Sequence, residues 1–437
     1  MNLDVVKQLY RSKDLRKRAL VVLGLLVVFR ALSHVPVPVP NNLALSSFLR
    51  TLFSSNKLLG FADLFSGGAL TSFSIIMMGV GPFINASIIM QLLQQAVPSL
   101  EALSKEGEQG RQKLNQYTRY LTLPLALIQS VAMIFLVKET SIRVAQTDLI
   151  GHPSIIQWIA MILTITGGTM LLMWIGEIIT EKGIGNGISL IIFAGIVARL
   201  PASAGQLFSL AQNDTGKIIQ LIFFAAIALA VIYFVVLLNE GQRNIPVSYA
   251  RRVRGSRIYG GVDTHLPLRV ITAGVIPIIF ALAFLTVPGF VGQIFTNARS
   301  AWLASVAHWL TSTFSSTSIS YAVMYFILVI VFTYFYTAIV FNPTEIAENL
   351  QKQGGFIPGI RPGKQTADYL GRLLNRITLA GAVGLGIVAI LPFIAQRFSN
   401  STTLTFGGTG LIIVVAVAIE TMKQIEAQAV TESYEKY

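Results

Sequence analysis

At 437 residues, 53% hydrophobic and only 12% charged, the chain is too apolar for a soluble globule. It carries a formal net charge of +13 and no cysteine, which excludes disulfides, thiolate metal sites and thiol nucleophiles. Its four histidines (His34, His152, His265 and His308) lie far apart with no HExxH-type pair, so neither haem nor metal binding is expected and no cofactor is implied.

Near-uncharged apolar runs recur along the chain, each close to the roughly 20 residues a helix needs to cross a bilayer core of about 30 Å. Ten spans are expected: 19–38, 73–96, 120–137, 155–175, 184–200, 218–238, 270–290, 319–341, 377–395 and 404–422. The runs are continuously apolar rather than alternating, which excludes a lipid-facing barrel and makes the fold an all-α integral membrane protein. Arg30 interrupts the first span. Its basic start and the triplet Ala31-Leu32-Ser33 loosely imitate a cleavable signal, but Arg30 beside that triplet and the further spans argue for retention. Pro82, Pro277, Gly381, Gly384 and Gly386 fall inside spans, where neighbouring helices re-satisfy the backbone.

Residues 60–72, directly before the second span, are moderately apolar, rich in glycine and too short to cross. Two readings stay open: a re-entrant element lining a cavity, or an amphipathic turn lying on the surface. Further on, the segments 239–269 and 342–376 are much longer than simple connections. The first holds Arg251, Arg252, Arg254 and Arg257. The second holds Gly354-Gly355-Phe356-Ile357-Pro358-Gly359-Ile360-Arg361-Pro362-Gly363, whose glycines and prolines specify tight turns. Such basic loops suit anionic lipid headgroups or a cytoplasmic docking partner. Twenty-four of the 33 basic residues fall on the side that holds these loops and both termini, which the positive-inside rule makes cytoplasmic.

Catalytic patterns are absent. Pro358 to Gln365 approaches a phosphate loop but lacks its first Gly and its final Ser/Thr, and Gly183-Ile184-Gly185-Asn186-Gly187 precedes an apolar span rather than opening a βαβ unit. No GxSxG elbow and no pair of intramembrane Asp residues provides a nucleophile. Carboxylates near the midplane, which ion-coupled transporters need, are nearly missing. The main polar residues within spans are Asn85, Gln91, Gln94, Gln95 and Gln129. Each of these can also serve simply as an interhelical hydrogen-bonding group.

Seven segments carry a family resemblance. They are Asp63-Leu64-Phe65-Ser66-Gly67-Gly68-Ala69-Leu70, the run from Gly81 to Leu93, Glu181 to Ser189, Thr264-His265-Leu266-Pro267-Leu268, Gly274-Val275-Ile276-Pro277, Phe356 to Gly363, and Phe406-Gly407-Gly408-Thr409. In this order and spread across spans one to ten, they resemble the SecY family. Thr71-Ser72 stand where relatives commonly carry basic residues, and Gly81 where a larger apolar residue is frequent.

The resemblance implies two inverted five-helix halves around a pore. A cytoplasmic amphipathic segment 1–18 would precede the first half, 19–200, and an external hinge 201–217 would lead to the second half, 218–422, and a tail 423–437. It implies a pore ring of Val80, Ile84, Ile188, Ile192, Ile279 and Ile413. It implies a plug within 60–72 that includes Gly60, Asp63, Leu64, Phe65, Ser66, Gly67, Gly68, Ala69 and Leu70. A lateral gate between spans 2 and 7, with span 3 facing span 8, would involve Asn85, Ser87, Ile88, Gln91, Gln129 and Val287. Arg251, Arg252, Arg254, Arg257 and above all Arg361 would dock partners. The implied partners are SecE-like and SecG-like subunits, a SecA motor ATPase or a ribosome, signal peptides and nascent or precursor chains, and membrane lipid. The implied function is a passive protein-conducting channel of the bacterial inner membrane. A small-solute transporter and an intramembrane enzyme are the alternatives.

Overall fold

The computed structural model describes residues 12–39, 42–55, 63, 66–211, 215–249, 252–254, 257–259, 264–272, 274–296, 300–315, 318–399 and 403–435. Each of the ten expected spans contains a helix. These are α1 (Lys13–Leu32), α3 (Gly81–Ala96), α5 (Glu108–Val144), α6 (Ile155–Lys182), α7 (Gly187–Ala211), α8 (Thr215–Glu240), α9 (Ile276–Phe295), α11 (Ile319–Val340), α13 (Lys364–Ser399) and α14 (Thr403–Glu435). Four shorter helices lie between them: α2 (Asn42–Ser55), α4 (Pro98–Lys105), α10 (Ala301–Thr313) and α12 (Pro343–Lys352). Among the described residues, five helical stretches are long and apolar enough to cross a membrane by length and composition, α5, α6 and α9 among them; shorter apolar stretches lie within α7 and α8.

Local chemistry sets several helix starts. The Ser12 hydroxyl accepts from the Leu15 N–H at the head of α1. Ser154 and Gln157 form a reciprocal capping box at α6. Asn342 caps α12, with Pro343 in the first turn where its missing N–H is harmless.

The second span differs from expectation. Its helix begins only at Gly81, and residues 66–80 run through successive turns. Gly67, Gly68 and Gly79 take positive φ, as does the buried Phe73. This irregular backbone is satisfied by residues 32–37. The Phe73 carbonyl accepts from Val37 N–H at 2.9 Å and Ile75 N–H donates to the Val35 carbonyl at 3.0 Å. The hydroxyls of Ser72 and Ser74 donate to the carbonyls of Ser33 and Leu32. Non-helical backbone is tolerated at membrane depth only when protein encloses it in this way.

Other boundaries also shift. Of the expected hinge 201–217, residues 201–211 belong to α7 and 215–217 to α8, while the expected tail is helical through 435. Residues 1–11 of the expected amphipathic segment lie outside the described residues.

The main apolar core gathers residues from α3, α6, α7, α8, α9, α11, α13 and α14. A second core, near the 66–80 segment, joins α2, α5 and α6. The two long loops are one unit. Strand β1 (Gln242–Tyr249) pairs antiparallel with β4 (Thr264–Arg269) from its own loop and with β5 (Gly355–Phe356) from the other. Ile245 and Leu268 from the sheet pack with Ile357 and with Leu370 and Leu373 of α13. Between β1 and β4, β2 (Arg252–Arg254) and β3 (Arg257–Tyr259) form a separate two-stranded ribbon.

Candidate functional site

The six expected ring residues come from five separate places in the chain and meet in one apolar cluster. Val80 ends the turn segment, Ile84 lies on α3, Ile192 on α7, Ile279 on α9 and Ile413 on α14; all five are buried, and the partly buried Ile188 of α7 packs against them. Branched apolar side chains such as these offer no hydrogen-bonding group to water or ions. A cavity of about 140 Å³ adjoins this cluster, lined by Ile84, Ile188, Ile192 and Ile279 and by the polar side chains of Ser87, Gln91, Asn186 and Ser189.

The cavity lies beside the contact between α3 and α9, and α9 also touches α5. Of the expected gate residues, Ile88 is buried and Val287 is exposed. The Gln91 amide donates to Ser87 one turn back at 3.1 Å, while its buried Oε1 has no partner among the described residues. No hydrogen bond among the described residues joins Asn85 or Gln129 to another helix. Phe280 and Phe284 of α9 lie edge-on to Phe332 of α11, with centroids 6.0 and 6.2 Å apart.

The turn segment 66–80 packs into the same core. Ser66, Gly67, Ala69 and Leu70 are buried, and Ala69 and Ile76 belong to the same cluster as the ring. Gly60, Leu64 and Phe65 lie outside the described residues. Asp63 is 1% exposed and pairs with the Arg199 guanidinium of α7. Its Oδ1 accepts the Thr71 N–H at 3.0 Å, and its carbonyl accepts the Gly68 N–H and the Ser66 hydroxyl. Burial pushes the Asp63 carboxyl above its usual range, against the lowering pull of Arg199 and of the Thr71 and Leu70 N–H groups. Arg30, which interrupts the first span, donates to the Gly67 carbonyl at 2.8 Å. Neither arginine was assigned a partner from the sequence, although an ionisable group in an apolar span is itself a signal of function.

On the loop face, Arg361 is exposed and its carbonyl accepts the Thr366 hydroxyl at 3.0 Å. Gly359 and Gly363 flank it with φ of 81° and 98°, and the buried Ile357 anchors the turn. Arg251 lies outside the described residues. Arg252, Arg254 and Arg257 lie on the β2–β3 ribbon, where Arg254 stands opposite Arg257. No group of His, Cys, Asp and Glu able to hold a metal ion occurs among the described residues.

Comparison with known proteins finds the family model described as SecY matching residues 74–422. The protein translocase subunit SecY of Halalkalibacterium halodurans is 44% identical, covering 99% of both chains. That of Streptomyces scabiei is 40% identical over 98% of both. Among solved structures, one described as "The structure of a protein conducting channel" aligns with a TM-score of 0.65 at 20% identity, over 95% of this chain and 93% of that one. Another, canine Sec61 in a ribosome-channel complex, aligns with a TM-score of 0.63 at 19% identity over 95% and 93%.

Proposed function

The chain belongs to the SecY family and forms a protein translocation channel; from that premise we propose that it is the passive pore subunit through which unfolded, signal-bearing polypeptides cross the bacterial inner membrane. The observation that carries this reading is that Ile84, Ile188, Ile192 and Ile279 line one cavity, with Val80 and Ile413 in the same apolar core, which also takes in Ala69 and Ile76 of a buried segment that is not helical. A ring of branched apolar side chains resists ions by dewetting and gives a passing chain no polar foothold. Residues 60–72, continuing into the turns before α3, act as the plug. They cross nothing, so they can leave without breaking the helical frame. The α3–α9 contact serves as the lateral gate, with span 3 facing span 8 beside it. Apolar segments leave the channel there into lipid, and Asn85 and Gln129 are available for hydrogen bonds to a passing segment.

The energy source lies outside the chain. A SecA-like motor ATPase or a translating ribosome docks on the loop face through Arg361, whose planar fork of donors suits carboxylates and phosphates. Arg251, Arg252, Arg254 and Arg257 add a salt-sensitive attraction. SecE-like and SecG-like subunits complete the complex, with both termini cytoplasmic. The test is reconstitution in proteoliposomes with a motor ATPase, ATP and a signal-bearing precursor. Protease-protected precursor inside the vesicles is the expected result. Flux of a small solute without precursor import, or cleavage of the precursor within the membrane, would replace this reading.

A further inference from the structure

The 66–80 segment is held by more than shape. Gly67 presses on α7 so closely that a Cβ at this position would stand 2.9 Å from the Gly195 Cα and 3.0 Å from the Phe29 ring. Arg199 lies one turn beyond Gly195 on the same helix, so the two share a face. That face offers a small residue for the backbone of the segment and a cation for Asp63. Arg30 of α1 donates to the Gly67 carbonyl while Phe29 covers the same glycine. Two guanidiniums, on the first and fifth spans, thus grip one short stretch at its carboxylate and its carbonyl.

A buried ion pair of this kind is a particular sort of fastening. Asp63 is 1% exposed and the Arg199 side chain 32% exposed. Desolvation of the carboxylate offsets much of the Coulombic gain, so the intact pair adds little net stability, whereas removing Arg199 strands that carboxylate in the state that buries it. Burial of Asp63 with its carboxyl pushed upward is the sign of that offset. Both charges regain water if the segment withdraws. The fastening therefore releases at low net cost, yet it specifies a single seated position.

We propose that Asp63 and Arg199, with Arg30 on the Gly67 carbonyl, form a charge latch that positions the plug in its seat on α7 and sets how readily the resting channel opens. Asp63 and Arg199 are positioning residues in this account. The proposal rests on the reading of residues 60–72 as the plug.

The experiment measures resting ion leak of the membrane-reconstituted channel by planar-bilayer conductance, with membrane-inserted protein quantified for every variant. Arg199→Met is expected to raise the leak by at least about tenfold, since it strands the buried Asp63 carboxylate, and Asp63→Asn is expected to raise it as well, since the cation on α7 then has no carboxylate with which to hold the segment. The double variant Asp63→Asn/Arg199→Met is expected to leak less than Arg199→Met alone, because no charge is left buried without a partner. Arg199→Lys, which keeps the cation, is expected to leak less than Arg199→Met. Single variants at the unaltered leak, a double variant leaking as the two combined, or equal leaks from Arg199→Lys and Arg199→Met would overturn the latch. Deletion of 60–72 separates the two levels of the argument. A leaky deletion beside silent point variants refutes the latch alone, whereas a tight deletion refutes the plug reading itself.

Discussion

Gly67→Ala is the sharpest single perturbation of the closed channel. Gly67 sits at φ 66°, a left-handed conformation that costs an L-residue roughly 1–2 kcal/mol. The added methyl would meet the Gly195 Cα at 2.9 Å and the Phe29 ring at 3.0 Å. The ring tip can yield, but the α7 backbone cannot, and overpacking of this kind typically adds about 1–3 kcal/mol. Together these place about 2–5 kcal/mol against the seated segment, a factor of roughly 30 to several thousand in its equilibrium. At the lower bound, an unseated population of about 1% becomes about a quarter of the molecules. The penalty falls on the seated state alone, because a withdrawn segment can relax its backbone. The assay is open probability in planar bilayers without substrate, with Gly24→Ala on α1 as the control, since nothing lies within 4 Å of a Cβ there. Gly67→Ala is expected to open spontaneously and the control to stay silent. Open probability unchanged in Gly67→Ala, at normal membrane insertion, would mean that the seated segment does not hold the channel closed.

Replacing Ile188 and Ile192 together with Asn supplies hydrogen-bonding groups at the ring and is expected to raise resting ion conductance; an unchanged conductance removes these residues from the constriction. The chain has no cysteine, so a Ser87→Cys/Ile279→Cys pair, on two helices lining the same cavity, is free of background thiols. Oxidation is expected to stop precursor import, and reduction to restore it, whereas import through the oxidised channel would exclude the α3–α9 gate. Arg361→Glu is expected to slow motor-driven import by at least about tenfold, because a like charge at an interface costs several kcal/mol. Arg361→Lys should fall between, and import by the Glu variant at the normal rate across a range of salt concentrations would dismiss the docking role.

Hydropathy located all ten spans because a bilayer core demands long apolar runs whatever their tertiary partners. It located the helices less well. The start of the run 73–96 is apolar, yet six of its first eight residues are buried and its backbone runs through turns, so apolarity there marks burial and says nothing about helicity. The helix α5, at 37 residues, outruns its expected span of 120–137 because the window detects the part in hydrocarbon, not the polar turns beyond it. The start of α12 is legible in the sequence as Asn342-Pro343-Thr344-Glu345, a cap followed by proline in the first turn. The resemblance supplied the ring, and the fold gathers its six members into one cluster. What no local pattern could supply was pairing. Asp63 and Arg199 are 136 positions apart, and Arg30 meets the Gly67 carbonyl 37 positions away. Such partners become visible only once the first and fifth spans flank the same segment.

The central claim is that a polypeptide passes through the ring formed by Ile84, Ile192, Ile279 and Ile413 with their neighbours. Its most direct test places a photo-crosslinking amino acid singly at Ile192, at Ile413 and at the exposed Leu163 of α6, and arrests a precursor midway through motor-driven import. Crosslinks to the arrested chain from positions 192 and 413, and none from 163, are the predicted result. A precursor captured from position 163 but from neither ring position would contradict the account.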